Sequence, residues 1–280
     1  MWSRGGPGRT ACGAPVHGGP DLTDTGVVTV IDLNADLAEN DVVTPSDLAL
    51  LDLVTSASLA CGFHAGSRSV MREAAAACVE RGVVIGAHVS YRDRDGFGRR
   101  HLDVARAQLA ADLVEQWGTL VDEVSAAGGT VAYVKPHGAL YHRMSVDADV
   151  AEVVVGTLGP LCAVLVAPPD SAAASPARVA GVRLVAEGFC DRGYDVLGRL
   201  VPRDADGAVV DDPAVAAARA RSLAVDRGVA AVDGRWVPLE VETVCLHGDR
   251  PDADHRARSV RDALRDAGVH VRPFAPPRAP

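Results

Sequence analysis

The chain has 280 residues, 48% of them hydrophobic and 23% charged, a balance that supports one soluble globular domain with a large core and excludes a disordered chain. Its net charge of −9 argues against a nucleic-acid surface, because phosphate binding needs a clustered positive field and these arginines are scattered among acids. With no apolar run of about 18 residues and no apolar leader at the N-terminus, no membrane span is expected and the cytoplasm is the expected compartment.

Residues 1–26 hold seven glycines and three prolines, too little apolar content to offset the entropy of ordering, and are expected to be a disordered extension. "VVTVIDL" at 27–33 is the first β-branched run and reads as a strand buried on both faces. It continues into "DLNAD", which puts Asn34 and Asp36 on one side of an extended segment, where a carboxylate can bind a divalent cation, act as a base, or cap the next turn. A short strand, "SLACG" at 58–62, leads to His64, set between glycines that let backbone approach a ligand; taken alone, such a histidine is usually a loop hydrogen-bonder. The helical pattern at 69–81 stops at Gly82, and the strand "VVIGAHV" at 83–89 carries His88 at its end. The loop that follows holds Arg99 and Arg100, suited either to bidentate binding of a carboxylate or phosphate or to salt bridges with nearby aspartates.

The spacing predicts a helix over 103–127, capped by Asp103, ending at Gly128, with Leu109, Leu113, Trp117, Leu120 and Val124 on its apolar stripe. The strand "TVAYVK" at 130–135 then enters "VKPHGALYH", whose Lys135 is the only lysine among 28 lysines and arginines. A surface lysine exchanges for arginine at little cost, so a lone survivor points to a role for a compact ammonium: filling a small pocket, donating in three directions, losing its proton on desolvation, or pairing with a carboxylate inside the fold. Pro136 forbids helix and keeps Lys135 and His137 extended with their side chains on one face, as a catalytic pair requires. Further strands are expected at 163–168, 182–187 and 242–247, followed by Glu187, Asp191 and Arg192 in one place and His247 and Asp249 in another. A last helix at 253–267 stops at Gly268, and the proline-rich end leaves 276–280 as a flexible tail.

Alternating strands and helices imply a parallel sheet wrapped by helices over 27–275. A closed barrel of seven strands is preferred to an open, doubly wound sheet, because nearly every apolar run ends in a reactive side chain and only a barrel brings all those ends to one mouth. The six cysteines form no C-x-x-C pair and read as reduced core thiols rather than zinc ligands. No P-loop, G-x-S-x-G elbow or G-x-G-x-x-G fingerprint is present, which disfavours a serine hydrolase and leaves a Rossmann cofactor without support.

In order along residues 29–274, the blocks "IDLNADLAE", "ACGFHAG", "IGAHVSYRDRDGFGRR", "VKPHGALYH", "EGFCDRGYDVLGRLVPR" and "VCLHGD" resemble the LamB/YcsF family, that of the 5-oxoprolinase A subunit. The resemblance implies a β/α barrel of the glycoside hydrolase/deacetylase type. It also implies a protein that joins two partner subunits to cleave the small molecule 5-oxoproline to L-glutamate with hydrolysis of ATP, the nucleotide being bound at the level of the complex. Carried onto this sequence, it makes Asp36, Lys135 and His137 candidate catalytic residues. Substrate binding would fall to Asn34, His64, Arg99, Arg100, Arg192, His247 and Asp249. A divalent cation stays open, with Asp36, His64 and His88 its candidate ligands, and with it the alternative of a metal-dependent hydrolase or deacetylase. A non-catalytic binding subunit is the third reading. The chain departs from the family at Ala38, usually glycine, at Ser58, usually asparagine, and at Ser67 and Arg68, usually aspartate and proline; the lost aspartate bears on any metal or base role near His64.

Overall fold

The computed structural model describes residues 29–248 and 252–275. The expected N-terminal extension, the C-terminal tail and Asp249 lie outside them. Seven strands, β1 (Val30–Leu37), β2 (Ser56–Ala60), β3 (Val84–Val89), β4 (Val131–Pro136), β5 (Val164–Ala167), β6 (Arg183–Phe189) and β9 (Thr243–His247), pair in parallel, and β1 pairs with β9 to close the barrel. A short hairpin, β7 (Gly228–Ala230) with β8 (Trp236–Pro238), intervenes between β6 and β9, and β10 (His270–Val271) adds to the start of β1. The strand expected at 58–62 is β2, displaced by two residues.

Around the barrel lie α1 (Pro45–Leu51), α2 (Arg68–Arg81), α3 (Arg106–Ala126), α4 (Gly138–Val146), α5 (Ala148–Leu158), α6 (Ala174–Ala180), α7 (Pro213–Arg221) and α8 (Ala253–Asp266). None is long and apolar enough to cross a membrane. The stripe on α3 faces the barrel as expected, with Leu109, Leu113, Leu120 and Val124 buried and Trp117 half-buried. Asp103 does not cap it: α3 begins three residues later, and Ala105 at the N-cap offers no side-chain acceptor. Gly82, Gly128 and Gly268 all take the left-handed conformation expected after helices. The five described cysteines are buried free thiols.

The barrel interior is layered and unusually polar, since such interiors are ordinarily filled by branched apolar side chains. At its base Val84, Ala132, Tyr133, Val166, Val185 and Ala275 form a separate apolar cluster, and Phe274 meets the Tyr133 ring edge-on at 5.0 Å. Gly86 is what lets that tyrosine lie inside, because a Cβ there would fall 2.1 Å from its ring. In the middle layer Asp32 accepts hydrogen bonds from Thr55 (2.7 Å), Ser56 (2.8 Å) and Thr243, which makes it a tie between strands rather than part of the mouth. Burial still pushes its carboxyl up to about 6.

Candidate functional site

Because side chains alternate along a strand, Asn34 and Asp36 of β1, Lys135 of β4, Glu187 of β6 and Cys245 of β9 all point inward, and in the upper barrel they meet. Lys135 Nζ lies 2.8 Å from Asp36 Oδ1 and 2.8 Å from Glu187 Oε1, with Cys245 Sγ at 3.1 Å and Asn34 Oδ1 at 3.3 Å. Asn34 donates through Nδ2 to Glu187 Oε1 (3.1 Å) and Thr243 Oγ1 (2.7 Å), so it braces the cluster from below and does not line the cavity above it. Burial by itself would strip the proton from Lys135, but Asp36, Cys245 and Glu187 outweigh it and hold the ammonium charged well above the ordinary lysine range. Asp36 is likewise raised by burial but more strongly lowered by His88 and Lys135, which leaves it ionised and weakly basic.

Beside this cluster stand three histidines. His64 and His137 stack with ring centroids 3.9 Å apart, and His88 meets His137 edge-on at 4.8 Å. Burial, reinforced by neighbouring histidines, lowers both His64 and His137 well below the ordinary imidazole range. Glu39, at the end of the first sequence block, brings a carboxylate oxygen to 3.2 Å from His64 Nε2 and 3.4 Å from His137 Nδ1. One atom from each of Glu39, His64, His88 and His137 falls within 4.8 Å of the others, a group with the donor set of a divalent metal site. The loop at 90–105 covers the group, and only glycine fits at 98, since a Cβ there would lie 2.9 Å from both His64 and His137.

These residues open into a cavity of about 470 Å³ lined by Asp36, His88, Lys135, His137 and His247 on the strand ends and by Arg99, Tyr141, Phe189, Arg192 and Arg203 around them. The segment Leu200–Asp204, after β6, forms one wall. His247 stacks on Phe189 at 5.5 Å, and its Nδ1 lies 3.0 Å from both oxygens of Asp191, which also accepts the His247 backbone N–H at 2.8 Å. Tyr141 Oη and Glu187 Oε2 are buried without hydrogen-bond partners among the described residues.

The structure thus gathers Asp36, His88, Arg99, Lys135, His137, Arg192 and His247 around one cavity, with His64 in the adjoining histidine group. Three expectations change. Arg100 does not reach the cavity; its guanidinium is held by the buried Asp93, which also accepts the backbone N–H groups of Gly96 (3.0 Å) and Arg100 (3.2 Å) and so staples the loop. Arg192 lines the cavity, but its guanidinium is spent on the carbonyls of Val201 (2.8 Å) and Ala208 (3.0 Å); burial and Arg203 lower it to about 10. The substrate-binding expectation for Asn34 becomes a bracing position. Glu39, Tyr141 and Arg203 were not expected: Glu39 closes a recognised block, but an acid on a loop carries no signal of its own.

The departures in sequence are local in structure too. Ala38 sits at φ 61°, the conformation glycine takes without strain. Ser67 is exposed and caps α2, accepting from Val70 N–H at 3.4 Å, so the aspartate absent there is a helix cap and leaves no gap in the site. Ser58 faces Tyr133 Oη at 3.1 Å inside the barrel.

A closed β/α barrel whose mouth buries an ion-paired ammonium beside a histidine–carboxylate group, over a cavity sized for a small polar molecule, defines an enzyme-like barrel protein with its chemistry at the strand ends. The LamB/YcsF family matches residues 31–279, and the chain belongs to that family. It is 50% identical over 252 residues to the 5-oxoprolinase A subunit of Streptomyces griseus subsp. griseus, covering 88% of this chain and 100% of that one. Against the 5-oxoprolinase A subunit of Nocardia farcinica it is 46% identical over 248 residues, covering 87% and 99%. The crystal structure of the lactam utilization protein from Thermus thermophilus has a TM-score of 0.81 at 38% identity and covers 88% of this chain and all of that one.

Proposed function

We propose that this chain is the A subunit of a 5-oxoprolinase which, with two partner subunits, cleaves 5-oxoproline to L-glutamate coupled to ATP hydrolysis. The observation that carries the reading is its identity of 46–50% over essentially the whole length of two relatives bearing that name. The cofactor is ATP, bound at the level of the complex, and the reaction belongs to the cytoplasm, where ATP is available. Residues 27–275 are the catalytic unit.

Opening a five-membered lactam requires activation, because amide resonance makes its carbonyl a poor electrophile; phosphorylation of the lactam oxygen by ATP supplies it. The charged Lys135 stabilises negative charge developing on that oxygen or its phosphoryl group. Two carboxylates hold that ammonium in place, so it needs no reorganisation as the charge develops. Arg99 takes the substrate carboxylate from its place on the cavity wall, which Arg100 does not reach. The base that steers water onto the activated carbon is assigned to His247 rather than to Asp36 or His137. Asp36 is held too weakly basic, and both His137 nitrogens have close partners, whereas Asp191 orients His247 with its other nitrogen left to serve the cavity.

The test is ATP-dependent glutamate formation from 5-oxoproline by the complex reconstituted from this chain and its two partner subunits. His247→Ala should lower kcat by about 10²–10⁴-fold. A wild-type complex that forms no glutamate would overturn the function; full activity in His247→Ala would overturn the assignment of the base.

A further inference from the structure

The hydrogen bonds around the three histidines fix which nitrogen of each carries its proton. His88 Nδ1 lies 3.0 Å from the Lys135 carbonyl, and a carbonyl only accepts, so Nδ1 is an N–H, and in the neutral ring Nε2 has the lone pair. His137 Nε2 faces the Phe97 carbonyl at 2.9 Å, so its lone pair is on Nδ1. His64 Nδ1 faces Ser90 Oγ at 3.0 Å; that hydroxyl already donates to the Tyr91 carbonyl at 2.8 Å, so His64 must donate to it and keeps its lone pair on Nε2.

The three lone pairs converge. With the three rings neutral, His88 Nε2 and His137 Nδ1 face one another at 2.9 Å as two acceptors, and His64 Nε2 and His137 Nδ1 both face an oxygen of Glu39. Two acceptors at hydrogen-bond distance repel, and a third nitrogen and an anionic oxygen worsen the imbalance, so the neutral group calls for a positive charge at its centre, either a metal cation or a proton. We propose that Glu39, His64, His88 and His137 bind one first-row divalent transition cation of the Zn²⁺ class. Three imidazoles and one carboxylate suit such an ion better than Mg²⁺ or Ca²⁺, which take oxygen ligands. In a tetrahedral shell with metal–nitrogen bonds of about 2.1 Å the donor atoms stand roughly 3.4 Å apart, so binding draws in the widest pair of the 4.8 Å group and opens the 2.9 Å His88–His137 contact. The N–H contacts to the Lys135 and Phe97 carbonyls and to Ser90 are the outer partners that orient metal-binding imidazoles. His88 and His137 also line the main cavity, where a bound cation would polarise a carbonyl or phosphoryl oxygen.

A proton on His88 Nε2, shared between His137 Nδ1 and the Asp36 oxygen at 3.3 Å, is the competing occupant. The full-length chain, stripped with chelator, is titrated with Co²⁺ and followed by its visible d–d absorption, with Zn²⁺ as competitor. One equivalent per chain should bind, and Zn²⁺ should displace it. Glu39→Gln and His64→Gln, which keep side-chain bulk, should each weaken Co²⁺ binding at least tenfold with an unchanged thermal melt. The proposal is overturned if Co²⁺ fails to bind at millimolar concentration, or binds equally well to both variants. It stands apart from the lactam reading: a chain that binds no cation yet supports glutamate formation sinks this inference alone, and one that binds a cation in a complex forming no glutamate sinks only the other.

Discussion

Lys135 shows why this one position kept a lysine. Its nitrogen touches Asp36, Glu187, Asn34 and Cys245 within 3.3 Å, a clustering around a single atom that a planar guanidinium cannot reproduce. The solitude of that residue is visible in the sequence; its partners are not, because they come from three other strands. Lys135→Met would leave two buried carboxylates without their cation and should cost on the order of 3–5 kcal/mol in urea unfolding. Adding Glu187→Gln should recover part of the loss, and an unshifted midpoint in the single variant would show that the ion pairs contribute nothing. Glu39 marks the opposite limit. Only the spatial approach of three histidines, one on β3 and the others just after β2 and β4, distinguishes it from any other acid at a loop.

At the level of elements, strands were legible where β-branched residues run between turn formers, and helices where a wide apolar stripe ends in glycine. The alanine-rich α7 was not, since its buried Ala216, Ala217 and Ala220 make little hydrophobic contrast. Nor was α5, whose three consecutive valines favour a strand; Asp147 overrides them by accepting from the N–H groups of Asp149 (3.0 Å) and Val150 (3.3 Å) at the first turn. A cap also explains the unusual Ser67. Ser67→Ala should lower stability by about 0.5–2 kcal/mol in thermal or chemical denaturation while leaving turnover in the reconstituted complex unchanged. A drop in turnover without a loss of stability would instead return that position to the active site.

For the whole molecule, the polar ends of the apolar runs were enough to anticipate a closed barrel, because no open sheet brings residues from all its strands to one cup. The long segment between β6 and β9 supplies Arg203 to the cavity; its first part is covered by the block ending at Arg203, but its helix α7 and hairpin β7–β8 were not anticipated. The buried pair at the mouth also links folding to acidity. Burial alone would raise the Asp191 carboxyl, but His247 beside it prevails and holds it at about 2, against 3.8 when unfolded. Because its folded value is the lower one, the stability it confers is complete above 3.8 and drains away as pH falls toward 2. Wild type should therefore lose about 2 kcal/mol more than Asp191→Asn between roughly pH 5 and pH 2 in equilibrium unfolding; parallel curves would sink the assignment. The seam between β1 and β9 sets Asp36 directly opposite His247. The first and last strands of the barrel must consequently meet before the cup exists at all. A chain ordered only as far as β6 has the lysine and the three grouped histidines but neither Cys245 nor His247, so the cup is completed only when β9 docks against β1.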